Sequence, residues 1–215
     1  TFSALRALMA KINDKKKGER VTPTETIAKE FLKAIISDPV KTFDLWDESG
    51  AFRELMPELL PMKGCGQPEN FHSEGDVWSN TRLALEMLSS LGYKKLFGTG
   101  TPSAETVLGV LFHDIGKPPT RQTPEEHGTD RIRFNNHDSV GAKMTEEICR
   151  RLTLSAPADF AVDAERIGGI VRYHLITVHG TVKELRASTI EKYFFNPAFP
   201  GEALQKVIYC DSSAT

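Results

Sequence analysis

The sequence predicts an all-α fold: a helical bundle with an N-terminal helical extension. Three observations point there. Apolar residues recur at spacings of three and four along most of the 215-residue chain. Alternating runs that would make half-buried strands are few, and no internal repeat or low-complexity tract interrupts the pattern. The apolar stripes are bracketed by residues that start and stop helices.

The elements follow in order. Leu5, Leu8, Met9 and Ile12 form a helical stripe that ends near Gly18. Thr22-Pro23-Thr24-Glu25 starts a second helix carrying Ile27, Phe31, Ile35 and Ile36, and Asp38-Pro39 breaks it. A short helix with Phe43, Leu45 and Trp46 runs to Ser49-Gly50, and another holds Phe52 and Leu55. The Pro- and Gly-rich stretch from Pro57 to Pro68 reads as loop. Helices are expected from Val77 to Leu91 and from Ser103 to Asp114, with Ser103 as N-cap. A polar segment from Lys117 to Asn136 contains one extended piece, Arg131-Ile132-Arg133-Phe134. Helices resume over Ser139–Leu152, Ala158–His174, Val182–Phe195 and Gly201–Cys210. The length fits one substantial domain with a small appendage, divided as 1–70 and 71–215.

Lys and Arg number 27 and Asp and Glu 29, a net charge of -2, so no global basic field favours nucleic acid or a membrane surface. No apolar run approaches the ~20 residues of a membrane span. The lysines of the N-terminus follow its apolar positions, unlike a secretion signal. Cys65, Cys149 and Cys210 are odd in number and lack a C-x-x-C, which suggests a reduced, cytoplasmic setting and three buried small side chains. Gly98-Thr99-Gly100-Thr101 lacks the Lys-Ser/Thr of a phosphate loop and reads as a connector.

The candidate chemistry lies in Leu111-Phe112-His113-Asp114-Ile115-Gly116-Lys117. At a fraying helix end an imidazole nitrogen and the adjacent carboxylate can reach one cation, Gly116 permits the sharp exit, and Lys117 offers a charge for a phosphate. Of the six histidines, His113, His137 and His174 fall at or near helix ends, as does Asp211. Ligands scattered along a helical chain in this way can converge on a bundle centre. Mixed His and carboxylate donors suit Mg, Mn, Ni, Fe or Zn without selecting one. His127, beside Glu125 and Glu126, reads as an ordinary loop residue, and the spacing of His174 and His179 without C-x2-C is no zinc finger.

Together these residues resemble the HD superfamily of metal-dependent phosphohydrolases, and most closely the HD region of bacterial CCA-adding tRNA nucleotidyltransferases and poly(A) polymerases. The motifs are Gln67-Pro68, His72-Ser73-Glu74-Gly75-Asp76-Val77-Trp78, His113-Asp114-Ile115-Gly116-Lys117-Pro118, Arg131-Ile132-Arg133-Phe134 with His137, then His174, then Cys210-Asp211-Ser212-Ser213-Ala214. Leu55-Met56-Pro57-Glu58-Leu59 also looks like the helical stretch joining the two parts of those enzymes. The resemblance spans residues 22 to 215 and makes 71–215 the HD domain.

The resemblance implies a first divalent ion held by His113, Asp114 and Asp211. It implies a second held by His137 and His174 with Asp114 bridging, so one or two ions in all. The family pattern has a metal-binding His where this chain has Asn80, whose amide oxygen suits a hard cation better than Zn or Ni. Asp114 and Lys117 are the expected catalytic residues, and Lys117, Arg121 and Arg133, with Arg131 nearby, the expected anion binders. The implied substrate is a phosphorylated small molecule or nucleotide, either a phosphomonoester or a 2′,3′-cyclic phosphodiester on a nucleotide or RNA end. A weakened HD module that binds tRNA or supports a nucleotidyltransferase is the alternative. The Gly-Ser pair and Asp-x-Asp of nucleotide addition do not occur, so this chain by itself is not expected to add nucleotides.

Overall fold

The computed structural model describes residues 2–16, 19–68, 75–177 and 184–214. Helices dominate. Helix α1 (Phe2–Met9) precedes a two-residue ladder, β1 (Lys15–Lys16) against β2 (Glu19–Arg20). Helix α2 (Thr24–Ser37) buries Ile27, Phe31 and Ile35, one stripe at i, i+4 and i+8. Asp38 then serves two helices. Its N–H closes α2 on the Ala34 carbonyl, and its carboxylate accepts from Lys41 N at 3.0 Å to open α3 (Pro39–Ser49). Gly50, at φ 80°, ends α3 in the left-handed conformation and lets α4 (Ala51–Leu55) leave in a new direction.

The expected loop after Pro57 is different in the structure. Pro57–Met62 form a 3₁₀ helix whose Leu59 and Met62 are buried. Three residues per turn put those two side chains on one face, and the prolines tolerate the tight turn. Another difference concerns Val77–Leu91. Helix α5 (Val77–Met87) stops early, and Ser90 caps a separate α6 (Leu91–Phe97) by accepting from Tyr93 N at 3.1 Å. Leu91, counted in the apolar stripe, is therefore exposed.

Helix α7 (Ala104–Phe112), capped by Ser103, is buried along almost its whole length and packs against α2 and α5. The segment after it holds α8 (Lys117–Thr120), β3 (Arg121–Gln122), α9 (Pro124–His127) and β4 (Arg133–Phe134), with Arg121 registered opposite Phe134. Helix α10 (His137–Arg151) follows. Helix α11 (Ala164–Tyr173) starts later than expected, at the N-cap Asp163, because Pro157 and the left-handed Ala161 (φ 48°) confine the preceding residues to a 3₁₀ turn. Helix α12 (Ala187–Ile190) runs into a π turn (Glu191–Phe195), and α13 (Gly201–Ser212) closes the chain. The sequence expectation of a helix from Val182 begins outside the described residues, as do His72 and His179.

One hydrophobic core runs from Ile27 to Ala214 without a break at residue 70. An aromatic cluster carries it across: Phe43 lies 4.4 Å and Phe52 5.8 Å from the Trp78 ring, joining α3 and α4 to α5. Two glycines set the spacing that matters for the site. A Cβ on Gly109 would meet Ile170 and Val207 at 2.9 Å, so α7 can lie close against both α11 and α13 only without one. A Cβ on Gly116 would stand 2.0 Å from the His137 carbonyl oxygen and 2.6 Å from Gly141 N. The turn after α7 thus touches the backbone at the start of α10.

Gly116→Ala is therefore expected to push the turn off α10 and cost about 2–3 kcal/mol, as overpacking does. Urea denaturation measures it. An unchanged midpoint would mean that the close backbone approach is not required.

Candidate metal centre

Four helix ends meet at one end of the bundle. The C-terminal ends of α7, α11 and α13 bring His113, His174 and Asp211, and the start of α10 brings His137. His113, Asp114, His137 and His174 are buried, and Asp211 is the most open, its side chain 21% exposed. Two overlapping groups result, each with its ligand atoms within 4.8 Å of one another: Asp114 with His137 and His174, and Asp114 with His113 and Asp211.

The same local device orients all three imidazoles. His113 Nδ1 bonds the Val110 carbonyl at 2.8 Å, His137 Nδ1 that of Phe134 at 2.7 Å, and His174 Nδ1 that of Val171 at 2.6 Å. A carbonyl only accepts, so each Nδ1 carries a proton and Nε2 is the nitrogen that each ring turns to the centre. All three Nε2 atoms are buried and have no aligned hydrogen-bond partner. They lie instead near carboxylate oxygens: His113 Nε2 at 3.3 Å from Asp114 and 3.4 Å from Asp211, His137 Nε2 at 3.5 Å and His174 Nε2 at 3.8 Å from Asp114. Ligands about 2.1 Å from one ion stand roughly 3.0–3.4 Å apart in octahedral or tetrahedral geometry. The contacts of His113 have that spacing and those of His137 and His174 are slightly wider, so the residues present fit one or two divalent ions.

Electrostatics point the same way. Burial alone would raise the Asp114 carboxyl, but the Lys117 ammonium and His113 hold it well below the usual range. Asp211 is likewise lowered against its burial, chiefly by His113. Burial works to lower His113, yet the two carboxylates overcome it and hold the imidazole up at about 10. His174 is pushed down by burial to about 4 and is neutral. In the absence of an ion, a proton on His113 supplies the positive charge that the carboxylates demand.

Lys117 is buried against Asp114, its Nζ 2.6 Å from Oδ2, and donates to Gln67 Oε1 at 2.6 Å. The Phe134 ring lies 5.6 Å from the same ammonium. Asn80 is fully buried on α5, which packs on α7 and α13, the helices that end at His113 and Asp211. Arg121 and Arg133 are exposed on the β3–β4 ladder between Lys117 and His137. Arg121 is near enough to help lower the buried Cys65 thiol, which burial raises and which also feels Lys117 and Asp114. Arg133 is held by Asp130 through contacts of 2.9 and 2.7 Å. His127 accepts from Thr123 N at 3.2 Å within its own turn. The roles of Gln67 and of the three carbonyls were not read from the sequence.

A helical bundle with this centre defines a class. A model of the HD domain matches residues 79–201, more than half of the chain, and the chain belongs to that family. Among its relatives, the Multifunctional CCA protein of Alkalilimnicola ehrlichii is 34% identical over 169 residues, covering 78% of this chain and 36% of that protein. The chain thus spans about a third of that relative's length. Among the described residues no helix is long and apolar enough to cross a membrane.

Because ligation needs the free Nε2 of His113, loading its subsite is expected to expel about one proton per ion near pH 7, and affinity there rises with pH up to about 10. Calorimetric titration with Mn²⁺ in buffers of differing ionisation enthalpy measures this. Binding heats independent of the buffer would show that His113 carries no proton.

Proposed function

We propose that the centre is a metal-dependent phosphohydrolase that cleaves phosphomonoesters or 2′,3′-cyclic phosphodiesters of nucleotides or RNA ends. The observation that carries this reading is the pair of ligand groups sharing Asp114, with three imidazole Nε2 atoms converging on it. His113, Asp114 and Asp211 would hold one ion, His137, His174 and Asp114 the other. Bound there, a divalent ion would lower the pKa of a bound water and polarise a phosphoryl oxygen.

The protein's own groups do the rest. The Val110, Phe134 and Val171 carbonyls hold Nδ1–H of each ring and so leave Nε2 as its ligand atom. Lys117 anchors Asp114 in one rotamer and contributes a positive potential to the floor of the site. Arg121, exposed on the ladder between Lys117 and His137, would offer a guanidinium to a phosphate. Arg133 must leave Asp130 to do the same. Likeness to a CCA protein is what favours a nucleotide or RNA end over other phosphoesters, with tRNA among the candidate substrates. A cytoplasmic setting agrees with three free, buried cysteines.

Purified protein assayed with Mn²⁺, Ni²⁺ or Mg²⁺ on a p-nitrophenyl phosphodiester and on 2′,3′-cyclic AMP tests the reading. Asp114→Asn and His137→Ala are expected to lower kcat on the order of 100-fold while circular dichroism stays unchanged. Arg121→Ala is expected to raise KM severalfold with less effect on kcat. Asn80→His, which restores an imidazole at the position of the family ligand, is expected to tighten metal binding. A native chain that retains no metal yet binds tRNA would overturn the proposal in favour of a binding module.

A further inference from the structure

The two ligand groups do not share Asp114 on equal terms. Its Oδ1 faces His137 Nε2 at 3.5 Å and His174 Nε2 at 3.8 Å. Its Oδ2 faces His113 Nε2 at 3.3 Å and also takes the Lys117 ammonium at 2.6 Å. Lys117 is not a loose surface cation, because its side chain is only 9% exposed and Gln67 Oε1 holds the same Nζ at 2.6 Å. Among the described residues, no lysine or arginine pairs with Oδ1.

A fixed ammonium 2.6 Å from Oδ2 repels an ion at the His113–Asp211 subsite at short range. The donor sets differ as well. The His137–His174 subsite offers two imidazoles and one carboxylate, all buried. The other offers one imidazole and two carboxylates, one of them partly open to water.

Resting on the reading of this centre as a metal site, we propose that its subsites fill in order. The first and tightest ion goes to His137, His174 and Asp114 Oδ1. The His113–Asp211 subsite is the weak, exchangeable one, kept weak by Lys117, and Gln67 is the positioning residue that seats that lysine. Exchange at one half of the pair would let metal concentration set whether one or two ions are present.

Mn²⁺ titration of the full chain, with free ion counted by electron paramagnetic resonance, tests this without reference to activity. The native protein is expected to bind one ion tightly and a second at least about 10-fold more weakly. Asp211→Asn removes only the weak ion, and His137→Gln removes the tight one. Lys117→Met strengthens the weak ion about 10-fold, and Gln67→Leu does so to a smaller extent, a gain that damage to the fold would not produce. Equal affinities in the native chain, loss of the tight ion in Asp211→Asn, or no gain in Lys117→Met would overturn the ordering. Ordered binding by a protein that hydrolyses no phosphoester would sustain it and sink the hydrolase reading. No binding at all would sink both.

Discussion

The structure depends on one buried carboxylate. Asp114 is 1% exposed, and an isolated charge at that depth is not tolerated. It persists because Lys117 and a protonated His113 flank one oxygen and two further imidazoles face the other. Each compensating group needs a support of its own. Gln67 seats the lysine, and three main-chain carbonyls fix the rings. Breaking a buried pair on one side leaves the other charge stranded, so the network acts as a unit.

That unit explains the architecture around it. Its groups come from turns or helix ends rather than helix centres, where adjacent residues point about 100° apart. Gathering helix ends at one point requires close helix packing just behind them. Gly109 provides this between α7, α11 and α13, and Gly116 provides it between the exit turn of α7 and the start of α10. The bundle is tight where it must be to hold ligand atoms within 4.8 Å of one another.

The helices were legible in the sequence wherever an apolar stripe and a capping residue coincided, as at Thr24–Ser37 and Ala104–Phe112. Legibility failed where local rules compete. Leu91 continued the stripe of Leu83 and Met87, but Ser90 recruited it into a new helix. Pro57 and Pro61 suggested loop because they lack amide hydrogens, yet Leu59 and Met62 had core to bury. The acidic and histidine residues of the centre stood out because each sits beside a helix boundary. Lys117 read as a phosphate binder because sequence shows a charge near a site but not which way it faces. Only the fold places its ammonium on Asp114 and brings Gln67, fifty positions away, to the same nitrogen.

The replacement at Asn80 invites the view of a decayed centre, and the physical state of the remaining groups argues against it. Each buried imidazole nitrogen without a partner costs roughly 1–3 kcal/mol. A centre with no ligand to bind would gain stability by closing on apolar side chains, since replacing buried polar clusters with packed hydrocarbon is often neutral or favourable. Here three buried imidazoles turn Nε2 toward one shared carboxylate instead. A cation entering would remove that cost, and binding to the folded state alone would then add stability in proportion to the logarithm of metal concentration. Asn80 bears on the donor set of the centre, whereas the orphaned nitrogens and the charge on Asp114 bear on whether it needs an ion at all.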